Sequence, residues 1–320
     1  MAMAAISPWV TFLRALKARF VGHPVSTPAP AIAIHSELMR LPKPGRARCE
    51  DVAGGLDRTW WLMDGATGVI APEGVCDSGW FAETIQASFF TQLAEDPATP
   101  LDQLISQATQ TASEQFARLA PLSMRNHSPW WPSSTLVLVR VLDSKGPATE
   151  LDVRVVGDSD LAIVGGDGEV RTVRDDRHTQ YCSGLYEEVM AALRDGVGYD
   201  SDRFRNALAA AVTTERQNRN RPDTYWVLAP EPFAPGNAVS TSVPLNPGDR
   251  IILCSDGAAR GHAVFGLEEA HEGFRAFARG DLGSLLQRVR AAEDKDHDGK
   301  TAPRGTRHDD ATVLRLSFTW

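Results

Sequence analysis

Residues 59–68 read TWWLMDGATG, an apolar run that stops on an aspartate followed by two glycines. The run predicts a buried strand whose end presents the carboxylate of Asp64. Because glycine has no side chain, another group can approach the backbone after Asp64 closely. A carboxylate beside an accessible carbonyl suits a hard divalent cation. An isolated Asp-Gly pair is more often only a turn, so the interpretation depends on recurrence of the pattern.

The pattern recurs along the chain. Residues 250–257, RIILCSDG, form a second apolar run ending in Asp-Gly, and residues 153–159, VRVVGDS, place the glycine before the aspartate. Residues 308–312, HDDAT, reverse the order, with the acids ahead of a strand, and residues 46–51, RARCED, lead two arginines into adjacent acids. Carboxylates gathered from separate strand ends repel one another, so their assembly would need a cation.

Composition and charge narrow the class of protein. The chain has 320 residues, 42% of them hydrophobic and 23% charged, which is ordinary for a globular protein with a sizeable core. A net charge of −8 opposes phosphate binding by the whole surface, so we expect no nucleic-acid partner. The four cysteines, Cys49, Cys76, Cys182 and Cys254, are far apart in the sequence. This spacing indicates neither a zinc knuckle nor a disulfide scaffold, and it favours a reducing cytoplasm.

The N-terminal segment reads differently from the rest. Residues 7–20 predict a short basic amphipathic helix with Ser7 as its cap and Pro8 in its first turn, and the proline-rich residues 21–31 predict a stiff linker. Such a helix could lie on an anionic membrane surface or dock on a partner, but we favour packing on its own domain or a loosely ordered extension. We therefore expect an N-terminal segment, 1–30, and one domain over 31–320.

Periodicity along 31–320 predicts an α+β protein with antiparallel sheets and outer helices. Residues 136–142 read as a central strand, and the short runs between 151 and 173 read as an antiparallel meander. A short strand is predicted at 225–228. Helices are predicted at 78–93, where Ser78 is the expected cap, and at 101–119, 184–195, 201–217, 267–278 and 282–292.

Taken in order, the acidic clusters resemble the signature of the metal-dependent Ser/Thr protein phosphatases, the PPM or type 2C family. That signature runs Arg, then Glu-Asp, Asp-Gly-x-x-Gly, a Gly-Thr/Ser-Thr strand start, Gly-Asp-Ser, Ser-Asp-Gly and Asp-Asn-x-Thr. The match covers roughly residues 40 to 318. Its pieces here are Arg46 with Glu50-Asp51, Asp64 to Gly68, Ser133-Ser134-Thr135, Gly157-Asp158-Ser159, Ser255-Asp256-Gly257 and Asp309 to Thr312.

The resemblance implies a central β-sandwich of two antiparallel sheets flanked by α-helices, a four-layer αββα arrangement, with a dinuclear Mn²⁺ or Mg²⁺ centre at one end. By this resemblance Asp64 would bridge the two ions and the Gly65 carbonyl would bind one of them. Asp256 and Asp309 would bind the second ion, and Glu50 would hold it through water.

Two further roles follow from the same resemblance. Asp158 matches the position that binds a third, weaker metal in bacterial members, and Arg46 matches the arginine that holds the substrate phosphate. A guanidinium suits this second role because it bonds two phosphate oxygens at once. Arg48 is a neighbour that could substitute for Arg46, which the spacing prefers.

The implied activity is hydrolysis of phosphoserine and phosphothreonine in a protein substrate by a metal-activated water, in a signalling context. Ala66 stands where the family often has a histidine, which removes a candidate general acid, and Asp160 and Asp310 add negative charge near the site. Two other readings remain open, a catalytically weak regulatory or phospho-binding module and a metal-dependent hydrolase of a small phosphoester. The intact set of Asp64, Asp256 and Asp309 favours the enzyme.

Overall fold

The computed structural model describes residues 32–46, 48–66, 76–142 and 149–319. The chain divides after Ile32, and every element described below belongs to the unit from Ala33 onward. The helix and linker expected over residues 7–31 lie outside the described residues. Among the described helices, none is both long enough and apolar enough to cross a bilayer.

Two antiparallel five-stranded sheets form the centre of the described structure. The strands are β1 Ala33–Leu41, β2 Val52–Leu56, β3 Thr59–Met63, β4 Gly65–Ala66, β5 Ser133–Ser134, β6 Leu136–Val141, β7 Thr149–Val156, β8 Asp160–Val164, β9 Val170–Val173, β10 Val239–Leu245, β11 Arg250–Cys254 and β12 Ala311–Thr319. The strand orders of the two sheets are β1-β12-β11-β8-β9 and β10-β7-β6-β3-β2, and β4 pairs with β5 in a two-stranded ribbon. The expected α+β sandwich is confirmed.

Strand β3 shows why the sheets stack as layers. Successive side chains of a strand point to opposite faces, and all five residues of β3 are buried. Trp60 and Leu62 pack between the two sheets, whereas Trp61 and Met63 pack beneath the helices that cover the outer face. A strand buried on both faces needs the continuous apolar run that the sequence supplies.

Helices cover both outer faces. The described helices are α1 Ser78–Glu95, α2 Leu101–Leu119, α3 Leu122–Arg125, α4 Arg177–Cys182, α5 Glu187–Arg194, α6 Asp202–Asn218, α7 Asp256–Ala263, α8 Ala270–Arg279 and α9 Leu282–Lys295. Helices α1 and α2 pack on the sheet that contains β3, and α7, α8 and α9 pack on the sheet that contains β11. Helices α5 and α6 share a smaller apolar cluster of their own. The order of layers is therefore helix, sheet, sheet, helix.

The predicted meander over 151–173 is wrong in one respect, because β7 and β8 belong to opposite sheets and only β8 and β9 form a hairpin. The chain crosses between the sheets at residues 157–159, where Gly157 has φ +78° and a Cβ would meet Thr135 at 2.9 Å. Glycine therefore allows the crossover, which brings Asp158 to the end of the sandwich.

Three local predictions also need correction. Residues 225–228 form no strand, and only an isolated bridge joins Leu228 to Ser134. Helix α4 and helix α7 were not predicted, since both are short and begin at sequences that read as loops. The cap of α1 is Asp77, whose carboxylate accepts a hydrogen bond from the Trp80 amide at 2.7 Å; the hydroxyl of Ser78 instead donates to the Ala66 carbonyl.

Candidate metal centre and cleft

Strand ends from both sheets meet at one end of the sandwich and form a cleft. Asp64 follows β3, Asp158 links β7 to β8, Asp256 opens α7 directly after β11, and Asp309 precedes β12. The cleft is lined by Lys43, Asp64, Gly65, Ala66, Ser133, Ser134, Thr135, Asp158, His178, Tyr186, Leu208, Val212, Glu215, Arg216, Tyr225, Val227, Asp256, Gly305, Thr306 and Asp309. Five of the seven predicted site residues are thus gathered in one place.

The backbone around Asp64 is fixed by its neighbours. The Asp64 amide donates to the hydroxyl of Thr135 at 3.0 Å, and the Asp64 carbonyl accepts from the Thr135 amide at 3.0 Å and the Ser134 hydroxyl at 2.9 Å. Polar donors at the start of β6 therefore hold the end of β3 in place. A carboxylate on a rigid strand end keeps the position that metal coordination requires.

Gly65 is required by close packing. A Cβ at this position would lie 2.7 Å from the backbone oxygen of Glu50, closer than any side chain tolerates. Gly257 is tighter still, because its Cβ would lie 1.9 Å from the backbone oxygen of Asp310. These glycines draw separate acidic segments together, so each Asp-Gly pair brings backbone and carboxylate oxygens to the cleft.

The four acids Asp51, Asp64, Asp256 and Asp309 form what we call the carboxylate cluster. Burial, together with the charges of Asp51, Asp256 and Asp309, raises the pKa of Asp64 well above its usual range. Burial and neighbouring acids likewise raise the pKa of Asp256 to about 6 and that of Asp51 to about 7. The cluster therefore holds more negative charge than the surrounding groups offset.

Asp309 differs from the other members of the cluster. Burial alone would raise its pKa, but Arg260 and Lys43 lower it below the usual range. The Lys43 ammonium lies 2.9 Å from one carboxylate oxygen, and the Arg260 guanidinium bonds the other. Arg260 is itself buried and also pairs with Glu293 at 2.8 Å. Asp309 is thus held by cations of the chain itself.

The opposite side of the cleft contains a second group of charged residues. His178 on α4 lies between two acids, with Nδ1 2.9 Å from Asp158 and Nε2 3.0 Å from Glu215 on α6. Burial alone would raise the pKa values of both acids, but His178 lowers them. We call Asp158, His178, Cys182, Tyr186 and Glu215 the helical wall.

The two remaining predicted residues occupy the rim. Arg46 and Glu50 are not among the described residues that line the cleft. Arg46 is exposed on the loop after β1, and the Glu50 amide donates to Asp310 at 2.9 Å. The same Asp310 carboxylate accepts from the Lys43 amide at 2.7 Å, so it fastens both ends of this loop. Arg48 pairs with Asp77 and Glu83.

Sequence reasoning missed Lys43 and the helical residues of the cleft. The helical residues lie in the segment 177–218, whose Asp-Gly pair, Asp195-Gly196, ends a helix and not a strand, so the pattern that located the carboxylates does not locate them. The one available signal was the spacing of His178 and Cys182, which places two soft ligands one helical turn apart. Arg216 gave no signal. It is buried in α6 and donates to the Ala66 carbonyl at 2.8 Å.

The residues present fit a pair of hard divalent cations. The candidate ligands of the cluster are all oxygens, the preference of Mg²⁺ and Mn²⁺. Desolvation in the cleft, together with the charges of Asp51, Asp256 and Asp309, raises the pKa of Asp64, so the acids of the cluster repel one another. A bound cation would relieve that repulsion, whereas a purely structural site would pair the acids with basic side chains.

Comparison with known proteins identifies the family. The model of the protein phosphatase 2C family matches residues 46–293, more than half of the chain. No curated protein sequence matches the chain. Among solved structures, the serine/threonine phosphatase PstP of Mycobacterium tuberculosis is 17% identical with a TM-score of 0.51, covering 89% of this chain and 98% of its own.

Two further structures share the fold. Stp1 of Staphylococcus aureus is 11% identical with a TM-score of 0.53, covering 94% of this chain and 100% of its own. A PstP catalytic domain in complex with two manganese ions is 17% identical with a TM-score of 0.50, covering 91% and 100%. These solved structures share the fold of the chain, in which two antiparallel sheets pack as one sandwich between layers of helices. The chain belongs to the protein phosphatase 2C family, whose members are metal-dependent serine/threonine phosphatases that use Mn²⁺ or Mg²⁺.

Proposed function

We propose that the carboxylate cluster is the dinuclear centre through which this chain hydrolyses phosphoserine and phosphothreonine. In this assignment Asp64 would be shared by two ions, the Gly65 carbonyl would hold one of them, Asp256 and Asp309 would hold the second, and Glu50 would hold that ion through water. The observation that supports it best is the convergence of Asp64, Asp256 and Asp309 from separate strand ends on one cleft, where desolvation and neighbouring acids raise the pKa of Asp64. The third-metal role of Asp158 stays part of the proposal.

When bound, the ions would supply a hydroxide near neutral pH and offset the charge of the transferring phosphoryl group. The chain itself fixes the positions of the residues that would hold the ions. Thr135 and Ser134 fix Asp64, and the contact of Gly257 with Asp310 sets the separation between β11 and β12. Ala66 leaves no imidazole at its position, so no general acid for the departing oxygen is assigned there.

Substrate phosphate would be held by the loop after β1. We propose Arg46 for this contact, since its guanidinium suits two phosphate oxygens. Lys43, three residues earlier on the same loop, lines the cleft and adds a second positive charge beside Asp309. Asp310 accepts from the Lys43 and Glu50 amides and so keeps this loop over the centre.

The proposed substrate is a phosphorylated protein in a cytoplasmic signalling pathway. All four cysteines are free thiols, which suits a reducing compartment. The net charge of −8 disfavours nucleic acid as a partner. We propose that residues 31–320 are the phosphatase domain and that residues 1–30 are a separate N-terminal segment for which contact with a membrane surface is not favoured.

The test is hydrolysis of a phosphothreonine peptide by the full chain after metal removal, titrated with Mn²⁺ and Mg²⁺. We expect metal-dependent turnover that is lost in Asp64→Asn and in Asp256→Asn. The matched control is Asp57→Asn, because Asp57 is exposed in the turn between β2 and β3 and its φ of 55° suits asparagine equally well. Arg46→Ala should raise KM for the peptide about 10-fold or more, the value of a charge-assisted hydrogen bond.

The alternatives predict other results. A regulatory or phospho-binding module would bind Mn²⁺ and the phosphopeptide without turnover. A small-molecule hydrolase would cleave a simple phosphoester and leave the peptide intact. Turnover that survives both Asp64→Asn and Asp256→Asn would refute the assignment of the cluster as the reaction centre.

A further inference from the structure

The helical wall contains a set of side chains that the phosphatase reaction does not use. His178 and Cys182 stand one turn apart on α4, and Glu215 faces them from α6. One ligand atom from each lies within 4.8 Å of the other two. The set offers one nitrogen, one sulfur and one oxygen, which distinguishes it from the all-oxygen carboxylate cluster.

The separations match those around a small tetrahedral ion. His178 Nε2 lies 3.4 Å from the Cys182 sulfur and 3.0 Å from Glu215 Oε1. Zinc binds histidine nitrogen at about 2.0 Å and cysteine sulfur at about 2.3 Å, so neighbouring ligand atoms in a tetrahedron lie roughly 3.3–3.8 Å apart. The two separations from His178 are thus within a few tenths of an ångström of this range, and the ligand atoms of Cys182 and Glu215 lie within 4.8 Å of each other.

Partners behind the ligands hold two of them in place. Asp158 lies 2.9 Å from Nδ1 of His178, which fixes the ring and leaves Nε2 directed toward Cys182 and Glu215. The Tyr186 hydroxyl donates to the second oxygen of Glu215. A carboxylate on the far nitrogen of a histidine, and a hydrogen bond to a ligating carboxylate, are the supports that metal sites in proteins regularly contain.

We propose that His178, Cys182 and Glu215 bind a borderline-soft divalent cation of the zinc type, at a site separate from the carboxylate cluster. The donor set selects the ion, because thiolate and imidazole favour zinc while Mg²⁺ and Mn²⁺ prefer oxygen. The fourth position is open to solvent or substrate, since His178 and Glu215 line the cleft. This site does not depend on the proposed function of the cluster.

Binding must displace protons. Burial raises the pKa of the Cys182 thiol, so the thiol is protonated in the metal-free protein, and zinc would replace that proton and the one on Nε2 of His178. The bound ion would then connect α4 to α6 through three side chains. We expect it to stabilise this side of the cleft, where α4 is only six residues long.

The test uses Co²⁺ as a spectroscopic substitute for zinc in the metal-stripped full chain. A cobalt–thiolate bond produces a sulfur-to-metal charge-transfer band in the near ultraviolet, which oxygen ligands cannot produce. We expect the band in the native protein, its loss in Cys182→Ser and in His178→Ala, and its displacement by Zn²⁺. The matched control is Cys49→Ser, because the thiol of Cys49 lies beside Asp51 and Asp310 near the carboxylate cluster.

Two outcomes would overturn the proposal. One is a native protein that binds Co²⁺ without the charge-transfer band; the other is a band that persists in Cys182→Ser. If Cys182→Ser folds poorly by circular dichroism, alkylation of the native protein decides the question. Bound Zn²⁺ should then protect Cys182 from iodoacetamide in peptide mapping, and equal labelling with and without Zn²⁺ would refute the site.

The same spectra separate this proposal from the phosphatase assignment. Asp64→Asn should abolish turnover and keep the charge-transfer band, because Asp64 is not part of the zinc-type site. Cys182→Ser should lose the band and still bind Mn²⁺ at the cluster, as counted by electron paramagnetic resonance. If Cys182→Ser loses both the charge-transfer band and Mn²⁺ binding, the cleft contains one metal site and not two.

Discussion

Two groups of acids face the same cleft, and they are stabilised in opposite ways. In the carboxylate cluster, burial and mutual repulsion raise the pKa values of Asp51, Asp64 and Asp256. In the helical wall, burial would do the same, but His178 lowers the pKa values of Asp158 and Glu215. The chain's own cations Lys43 and Arg260 lower the pKa of Asp309 but leave those of the other three acids of the cluster raised, whereas His178 lowers the pKa values of both acids of the wall.

The difference follows from where the acids come from. Strand ends bring the four carboxylates of the cluster close together, as the tight contact at Gly257 shows, and the cations Lys43 and Arg260 pair with Asp309 at one side of it. In the wall, the imidazole of His178 on α4 lies between Asp158, at the crossover from β7 to β8, and Glu215 on α6. The cluster is therefore suited to hard metal ions, and the wall to a shared proton or a softer metal.

The largest expected effect comes from forcing the strand ends of the cluster apart. In Gly257→Ala the new Cβ would lie 1.9 Å from the Asp310 backbone oxygen and 3.0 Å from the Cβ of Asp309. Both contacts are to rigid parts of the chain, so the two segments must separate, at a cost of about 3 kcal/mol. Peptide turnover should fall more than ~100-fold, because Asp256 and Asp309 no longer meet.

Gly236→Ala is the matched control for this substitution. A Cβ at Gly236 has open space around it, and the residue lies in a surface turn away from the cleft. Its activity and unfolding midpoint should equal those of the native protein. Native-like Mn²⁺ binding in Gly257→Ala would show that the cluster still binds metal when the segments that contain Asp256 and Asp309 are moved apart.

This contrast also explains how much could be predicted from the sequence. The apolar run ending at Asp64 and its repetition at Asp256 located the strand ends, and the alternation of Trp60 and Trp61 reflects burial on both faces of β3. The placement of His178 could not be predicted, because it depends on how α4 approaches α6. The crossover at Gly157 was misread as a turn within one sheet, since a hairpin and a change of sheet use the same short glycine-containing link.

The second expected effect concerns Arg260, a buried cation beneath the cluster. Arg260 pairs with Glu293 at 2.8 Å and with Asp309, and its guanidinium is almost inaccessible to solvent. Arg260→Met should destabilise the protein by roughly 3 kcal/mol, because it leaves buried acids without this partner. Urea unfolding in the presence of a metal chelator measures the loss.

The control is Arg288→Met on α9, since the Arg288 side chain is 51% exposed and its pair with Glu268 is weak. That variant should change stability by less than about 1 kcal/mol. If Mn²⁺ restores most of the stability of Arg260→Met, the metal and the arginine serve the same acid. Equal losses in the two variants would contradict a buried pair at this position.

The third expected effect is a pH dependence that separates the two groups. An acid whose folded pKa is raised contributes stability that is present below its unfolded pKa and lost as pH rises through the folded pKa. Asp51 and Asp256 have pKa values of about 7 and about 6 against an ordinary value of 3.8. The metal-free protein should therefore gain on the order of 2 kcal/mol when the pH falls from about 7 to about 5.5.

The wall should not oppose this gain. The pKa values of Asp158 and Glu215 are lowered, so their contribution is lost only at pH values below their ordinary range. His178, whose pKa those two acids raise against the effect of burial, adds stability in the same direction as the cluster. Asp51→Asn removes one of the two acids whose raised pKa values cause the effect, so its gain in stability between about pH 7 and about pH 5.5 should be smaller than that of the native protein. Saturating Mn²⁺ should remove most of this pH dependence of stability. A fall in the stability of the metal-free protein on acidification would contradict the raised pKa values of Asp51 and Asp256.

The smallest expected effect is at Lys43, the cation that the chain already places in the cluster. Its ammonium lies 2.9 Å from Asp309 and would compete with a metal for that carboxylate. Because a partly exposed ion pair is worth about 1 kcal/mol, Lys43→Met should raise Mn²⁺ affinity about 5-fold in calorimetry. Lys295→Met, at the exposed end of α9, is the matched control and should leave the affinity unchanged.

The opposite result at Lys43 would be equally informative. The Lys43 amide already donates to Asp310, so the loop after β1 stays attached when the side chain is replaced. A fall in Mn²⁺ affinity would therefore mean that the ammonium itself holds Asp309 in its binding position. In that case the cluster depends on a cation of its own chain, as the wall depends on His178, and the two groups of acids differ only in how far their own cations offset them.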